Sequence, residues 1–94
     1  MKAGLLTLRY RLYAVKSIKS KRSIVKRILA DVQRGGAAFA VCEAEDQDDL
    51  RALTIRVAHL SNDPCYSASV LERLKQRLDR GDGYELIDAE VEIL

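Results

Sequence analysis

The chain has 94 residues, 48% hydrophobic and 32% charged, with 16 Lys and Arg against 14 Asp and Glu for a formal net charge of +2. That balance excludes a disordered tail, which has few apolar residues and a large net charge, and no apolar run approaches the roughly 20 residues that span a bilayer. One histidine, His59, and two separated cysteines, Cys42 and Cys65, exclude a structural zinc site of the usual spacing and a disulfide framework. The first segment breaks early into alternation with Arg9 and Arg11 rather than forming an apolar signal. The expectation is therefore two reduced thiols in a cytoplasmic protein with no membrane partner.

In chain order, Leu6, Leu8, Tyr10 and Leu12 alternate with Thr7, Arg9 and Arg11, which predicts a half-buried strand. From about Ser20 the period changes. Ile24, Val25, Ile28, Leu29 and Val32 make one apolar stripe of a helix, Lys21, Arg22, Lys26 and Arg27 are assigned to its other side, and Gly35-Gly36 supplies the stop. Ala37 to Ala44 predict a second strand, with Phe39, Val41 and Glu43 on one face, and Glu45 to Asp49 an acidic loop. Leu53, Ile55, Val57 and His59 then alternate in a third strand that forms a hairpin with the second. Ser61-Asn62-Asp63-Pro64 opens a second helix, with small polar caps and a proline that tolerates the first turn. Val70, Leu71, Leu74 and Leu78 line its apolar side, and Gly81-Asp82-Gly83 ends it. Ile87, Ala89, Val91 and Ile93 alternate with acids in a closing strand.

The order is β-α-β-β-α-β with short connections, so right-handed crossovers place four antiparallel strands in one sheet, order 4-1-3-2, with both helices on one face. The expected fold is a single α+β domain over 1–94, ferredoxin-like. Its expected core is Leu6, Leu8, Tyr10, Ile24, Ile28, Leu29, Ile55, Val57, Leu71, Leu74, Ile87 and Val91.

The small net charge conceals an asymmetry. Residues 1–34 carry ten basic side chains and one acid, Asp31, a balance of +9; residues 35–94 balance at −7. Two readings follow: an interaction surface for an anionic partner, or two halves that neutralise each other in the fold. The basic segment Lys16, Lys19, Lys21, Arg22, Lys26 and Arg27 contains no acid and lies around a helix N-terminus, where backbone N–H groups add positive potential. Its two readings are a phosphate-binding surface and a solvated helix face. The open sheet face presents Thr7, Arg9, Arg11, Thr54, Arg56 and Ala58, without an aromatic on which a base could stack. Arg9, Arg11 and Arg56 there read as a charge ladder against Asp88, Glu90 and Glu92 and, if Phe39 and Val41 also face outward, Glu43.

Other candidates are isolated. Asp46, Asp48 and Asp49 are hard donors for a divalent cation, without the glycine and distal glutamate of a calcium loop. Cys65 falls in the first turn of the second helix with no base partner in sequence, and His59 has core parity, as a satisfied structural histidine would. There is no Gly-rich phosphate loop, since Gly35-Gly36 is followed by Ala37-Ala38. No catalytic set, cofactor motif or metal site is assigned, and the reading is of a protein that is not an enzyme. A small metal-dependent hydrolase acting through the acidic loop is the rival.

The run Ser17-Ile18-Lys19-Ser20-Lys21-Arg22-Ser23-Ile24-Val25-Lys26, the segment Leu60-Ser61-Asn62-Asp63 and the ending Glu90-Val91-Glu92-Ile93-Leu94 resemble a family of small bacterial proteins, the domain of unknown function 503 or YlxP-like proteins. The family's hairpin has a His or Asn near the Gln and a Leu-Trp after it; here the loop reads Glu45-Asp46-Gln47-Asp48-Asp49-Leu50-Arg51, so no role of that aromatic carries over. The resemblance implies a ferredoxin-like fold and genes near translation and ribosome-maturation factors, and it implies no activity. Together with the basic segment it points to a non-catalytic accessory protein whose partner is ribosomal RNA or a ribosomal particle. The alternative is a homodimeric interaction module, because the apolar second strand is a sheet edge that invites pairing.

Overall fold

The computed structural model of the chain describes residues 2–45 and 47–94. Strand β1, Lys2–Leu12, runs through the middle of the sheet, with Leu6, Leu8, Tyr10 and Leu12 all buried on one face. Helix α1, Ile18–Gln33, follows it. The helix begins earlier than the apolar stripe suggests because the hydroxyl of Ser17 caps it, accepting from the Ser20 N–H at 3.1 Å. It closes where Gly36 turns to a positive φ of 115°. Strands β2, Phe39–Glu43, and β3, Ala52–Ser61, form the expected antiparallel hairpin.

Helix α2, Pro64–Arg77, starts as its sequence predicts. Asp63 caps it through Oδ1, which accepts from the N–H groups of Cys65 and Tyr66, and proline occupies the first turn. It ends sooner than expected, at Arg77, and the chain forms a further short hairpin of β4, Arg80–Gly81, and β5, Tyr84–Ile93.

The four-stranded sheet of order 4-1-3-2 is therefore corrected: the sheet has five strands in the order β2-β3-β1-β5-β4, all pairs antiparallel. The added strand comes from Asp82-Gly83. That pair is a tight hairpin signal as well as a helix stop, and Gly83 takes the positive φ of 89° the turn requires.

Both helices lie over the face of β1 and β3 that carries Leu6, Leu8, Tyr10, Leu53, Ile55 and Val57. Ile24, Val25, Ile28 and Val32 of α1 and Leu71, Leu74 and Leu78 from α2 and its cap complete one core. Tyr10 belongs to it because its hydroxyl donates at 2.8 Å to the carbonyl of Leu78, one of the orphan acceptors at the end of α2. Burial raises the Tyr10 pKa well above the ordinary phenol value.

Two expected placements change. Ile87 is 58% exposed, because the register of β5 against β1 slips between Arg9 and Tyr10: Arg9 faces Asp88 while Tyr10 faces Leu86. The extra residue is a β-bulge, and it flips the alternation. Ala89 and Val91 pack against the core on one side of it and Tyr84 and Leu86 on the other. The second change concerns β2. Phe39, Val41 and Glu43 oppose His59, Val57 and Ile55, so they lie on the helix-covered face and not on the open one.

Candidate functional site

The six cations of the basic segment do not share one surface. Lys16, Lys19, Arg22, Lys26 and Arg27 are exposed, whereas Lys21 is 1% exposed and corrected from the phosphate-binding set. Its Nζ donates to the Asp49 carbonyl at 2.6 Å and to the Gln47 carbonyl at 3.4 Å, and it lies 3.5 Å from Oε2 of Glu43. The helical spacing explains this. Lys21 stands three, four and seven residues before Ile24, Val25 and Ile28, so it continues the apolar stripe. That signal was present in the sequence. What it meets there, the β2–β3 loop and a carboxylate turned inward, was not.

The exposed cations have a different setting. Lys19, Arg22 and Lys26 fall at i, i+3 and i+7, one stripe about 10 Å long. No acid occupies the first turn of α1. Lys16, Lys19, Arg22 and Lys26 make no ion pair among the described residues, and Arg27 reaches the Asp82 carbonyl at 3.4 Å.

On the open sheet face Arg9 and Arg56 are instead neutralised, while Arg11 makes no ion pair among the described residues. Arg56 binds Glu45 at 2.7 Å, Arg9 binds the same carboxylate at 3.4 Å, and Arg9 lies 3.9 Å from Asp88 across the strands. The hydrogen bond from Arg56, then that from Arg9, holds the Glu45 carboxyl below the usual carboxylate range. Of the expected charge ladder, Arg9 to Asp88 forms, and Glu45 of the loop joins Arg9 to Arg56. Glu90 and Glu92 stand opposite Thr7 and Leu5 and make no ion pair among the described residues. Arg11 faces Glu85, whose carboxylate accepts from the Tyr13 hydroxyl at 2.6 Å, and that bond raises the Tyr13 pKa.

A family model described as "Protein of unknown function (DUF503)" matches residues 3–91. The chain belongs to the DUF503 family. No curated protein matches the sequence. Among solved structures, this DUF503 chain is similar to the de novo designed protein Foldit4, with a TM-score of 0.58 at 15% identity, covering 100% of this chain and 97% of that one. It is also similar to the de novo designed protein LFR1 1, described as having a ferredoxin fold, with a TM-score of 0.53 at 14% identity over 100% and 84% of the two chains. A third likeness is to a variant of SnoaB, a cofactor-independent oxygenase from Streptomyces nogalater, with a TM-score of 0.50 at 12% identity over 99% and 90%. At these identities the likeness concerns the fold. It supports the ferredoxin-like class of this DUF503 chain.

The remaining candidates of the DUF503 chain are placed as follows. Asp46 lies outside the described residues. Oδ1 of Asp49 accepts from the Arg51 N–H at 2.8 Å, and among the described residues no three His, Cys, Asp or Glu side chains come together as a metal would require. Cys42 and Cys65 are free and exposed. His59 is buried and hydrogen-bonded, as its parity predicts. No described helix is long and apolar enough to cross a membrane.

Proposed function

We propose that this protein is a cytoplasmic, non-catalytic accessory protein that contacts structured RNA or a ribosomal particle through phosphate oxygens. The observation that carries the reading is the contrast between α1 and the sheet. Arg9 and Arg56 are neutralised in place, while Lys19, Arg22 and Lys26, with Lys16 and Arg27 beside them, project from one side of α1 toward solvent. These cations repel one another, and Lys16 and Lys19, at the helix N-terminus, also oppose its dipole; a polyanion relieves both. Without outward aromatics on the central strands, binding follows RNA shape and charge rather than base identity.

The test is a salt titration of binding to ribosomal RNA fragments and ribosomal subunits, wild type beside Lys19→Ala/Arg22→Ala/Lys26→Ala. Each phosphate neutralised contributes about 0.7–0.9 to the slope of log affinity against log salt, so the variant should flatten it by about two to three units. Equal binding by both proteins, or none by either at low salt, removes RNA.

A second reading is a homodimer joined along β2. That strand is paired on one side only, and a shallow apolar trough of about 380 Å³, lined by Ala3, Ala37, Ala38, Ala40, Ala58 and Leu60 among others, runs beside it. Sedimentation equilibrium at tens of micromolar decides; a monomer there counts against it.

A further inference from the structure

At the end of β3 opposite the Lys21–Glu43 pair, the start of β2 and one side of α2 enclose an open cleft of about 440 Å³, lined by Phe39, His59, Ser61, Tyr66, Arg73 and Arg77 among others. That is within the roughly 300–1,000 Å³ usual for small-molecule sites. Gly4, opposite His59 on β1, lets α2 come this close: a Cβ there would stand 2.7 Å from Leu71 Cδ1 and 3.4 Å from the Cβ of Ser67. His59 is 4% exposed and held between rings, with its centroid 4.8 Å from Phe39 and 5.8 Å from Tyr66.

The hydrogen bonds around His59 set its tautomer. The Ser61 hydroxyl donates to the Asp63 carbonyl at 2.8 Å, which uses its one proton. The 2.7 Å contact between Ser61 and Ser67 is then donated by Ser67. With that proton used as well, Ser67 Oγ accepts from Nδ1–H of His59 at 2.9 Å. A neutral imidazole has one N–H, so Nε2 is left as an acceptor. It has no partner among the described residues, and it is not sealed from solvent. Open to solvent, Nε2 takes its remaining hydrogen bond from water or from a donor that enters the cleft His59 lines. Arg73, exposed and without an ion pair among the described residues, lines the same cleft, while Arg77 is engaged by Asp31 at 3.7 Å.

We propose that this cleft binds a small aromatic hydroxy acid. The carboxylate pairs with Arg73, the hydroxyl donates to Nε2 of His59, and the ring packs against Phe39 and Tyr66. An acceptor nitrogen, a free guanidinium and two aromatic rings lining one cleft ask for a donor, an anion and a flat apolar body in one molecule. The inference stands independently of RNA binding, since the basic stripe of α1 is elsewhere.

The experiment is an NMR titration of the ¹⁵N-labelled protein with 4-hydroxybenzoate and with benzoate, following backbone amides and the imidazole nitrogens. The ligand-free imidazole should show the proton on Nδ1. 4-Hydroxybenzoate should shift amides at the end of β3 and along α2 saturably. Benzoate, lacking the donor, should bind about tenfold more weakly, and Arg73→Ala should cost a further factor of about ten or more. Arg73 is exposed, so that variant should leave the spectrum of the rest of the domain unchanged. A proton on Nε2 overturns the proposal, as do shifts still linear at about 20 mM, weaker than ordinary millimolar binding. Identical titrations of wild type and Arg73→Ala also overturn it.

Discussion

Lys21 and Arg22 are adjacent, both cationic, in the same turn of the same helix, and they meet opposite physical problems. Lys21 has left water: two loop carbonyls and the Glu43 carboxylate replace its hydration. Arg22 keeps its water and makes no ion pair among the described residues. A buried ion is held in place by its partners, and removing one leaves the other stranded. An exposed ion contributes little to stability, and its charge remains available to a partner. Charge on α1 is therefore of two kinds, one that docks the β2–β3 loop and one that faces outward.

A large effect should come from separating the buried pair. Lys21→Met leaves the half-buried Glu43 carboxylate, with Oε2 sealed from solvent, without its cation and should cost about 3 kcal/mol, lowering the thermal midpoint by about 12 °C or more. Lys21→Met/Glu43→Leu should recover most of that loss, since an apolar pair of similar volume needs no desolvation. If the single variant melts like wild type by circular dichroism, the distinction between the two cations fails.

Ile28, two turns along the same stripe, provides the apolar reference. Ile28→Ala should cost about 2–5 kcal/mol in chemical denaturation, whereas Ile87→Ala, outward on the bulge, should stay within about 0.5 kcal/mol. Equal losses at both sites would contradict the register slip.

Tyr10 is a buried polar group that is neutral rather than charged. Tyr10→Phe strands the Leu78 carbonyl and should cost about 1–3 kcal/mol. Its raised pKa also predicts an alkaline limb. The unfolded phenol ionises near pH 10 while the folded one stays protonated, so stability is level below about pH 10 and falls as the pH rises toward the folded value. Tyr10→Phe should flatten that limb without abolishing it, since the Tyr13 and Tyr84 phenols are also raised; urea melts between neutral pH and about pH 11 would show the difference.

Smallest in stability, and largest in binding, is the outward stripe. Lys19→Ala/Arg22→Ala/Lys26→Ala should change stability by no more than about 0.5 kcal/mol per site while flattening the salt slope. On the sheet, Arg56→Ala should raise the Glu45 pKa more than Arg9→Ala does, because the Arg56 hydrogen bond is the larger cause of its depression. The depressed value means that this contribution is present above the unfolded carboxyl pKa and lost as the pH falls through the folded one. A carboxyl NMR titration measures it.

Local chemistry was legible in the sequence wherever one element decides it. The alternation of Leu6, Leu8 and Tyr10, the Asp63-Pro64 start, the stop at Gly35-Gly36 and the family motif from Ser17 to Lys26 all depend on neighbours within a few residues, and each led to its element. The absence of aromatics on the open face was equally readable, because strand parity assigns faces two residues at a time.

What only the tertiary structure decided are relations between distant segments. Helical spacing puts Lys21 on the apolar stripe, but that a cation could stay there depended on Gln47, Asp49 and Glu43 arriving beneath α1. The inward turn of Glu43 depended on which side of β3 its strand presented, and the exposure of Ile87 depended on a bulge that no alternation reveals. The His59–Ser67–Ser61 chain joins a strand to a helix eight residues on, and Gly4, more than fifty residues earlier, makes the room. The physical reason is common to all of these. Periodicity reports the face a residue occupies, but burial of a polar group is decided by the partners available on that face, and those come from elsewhere in the chain.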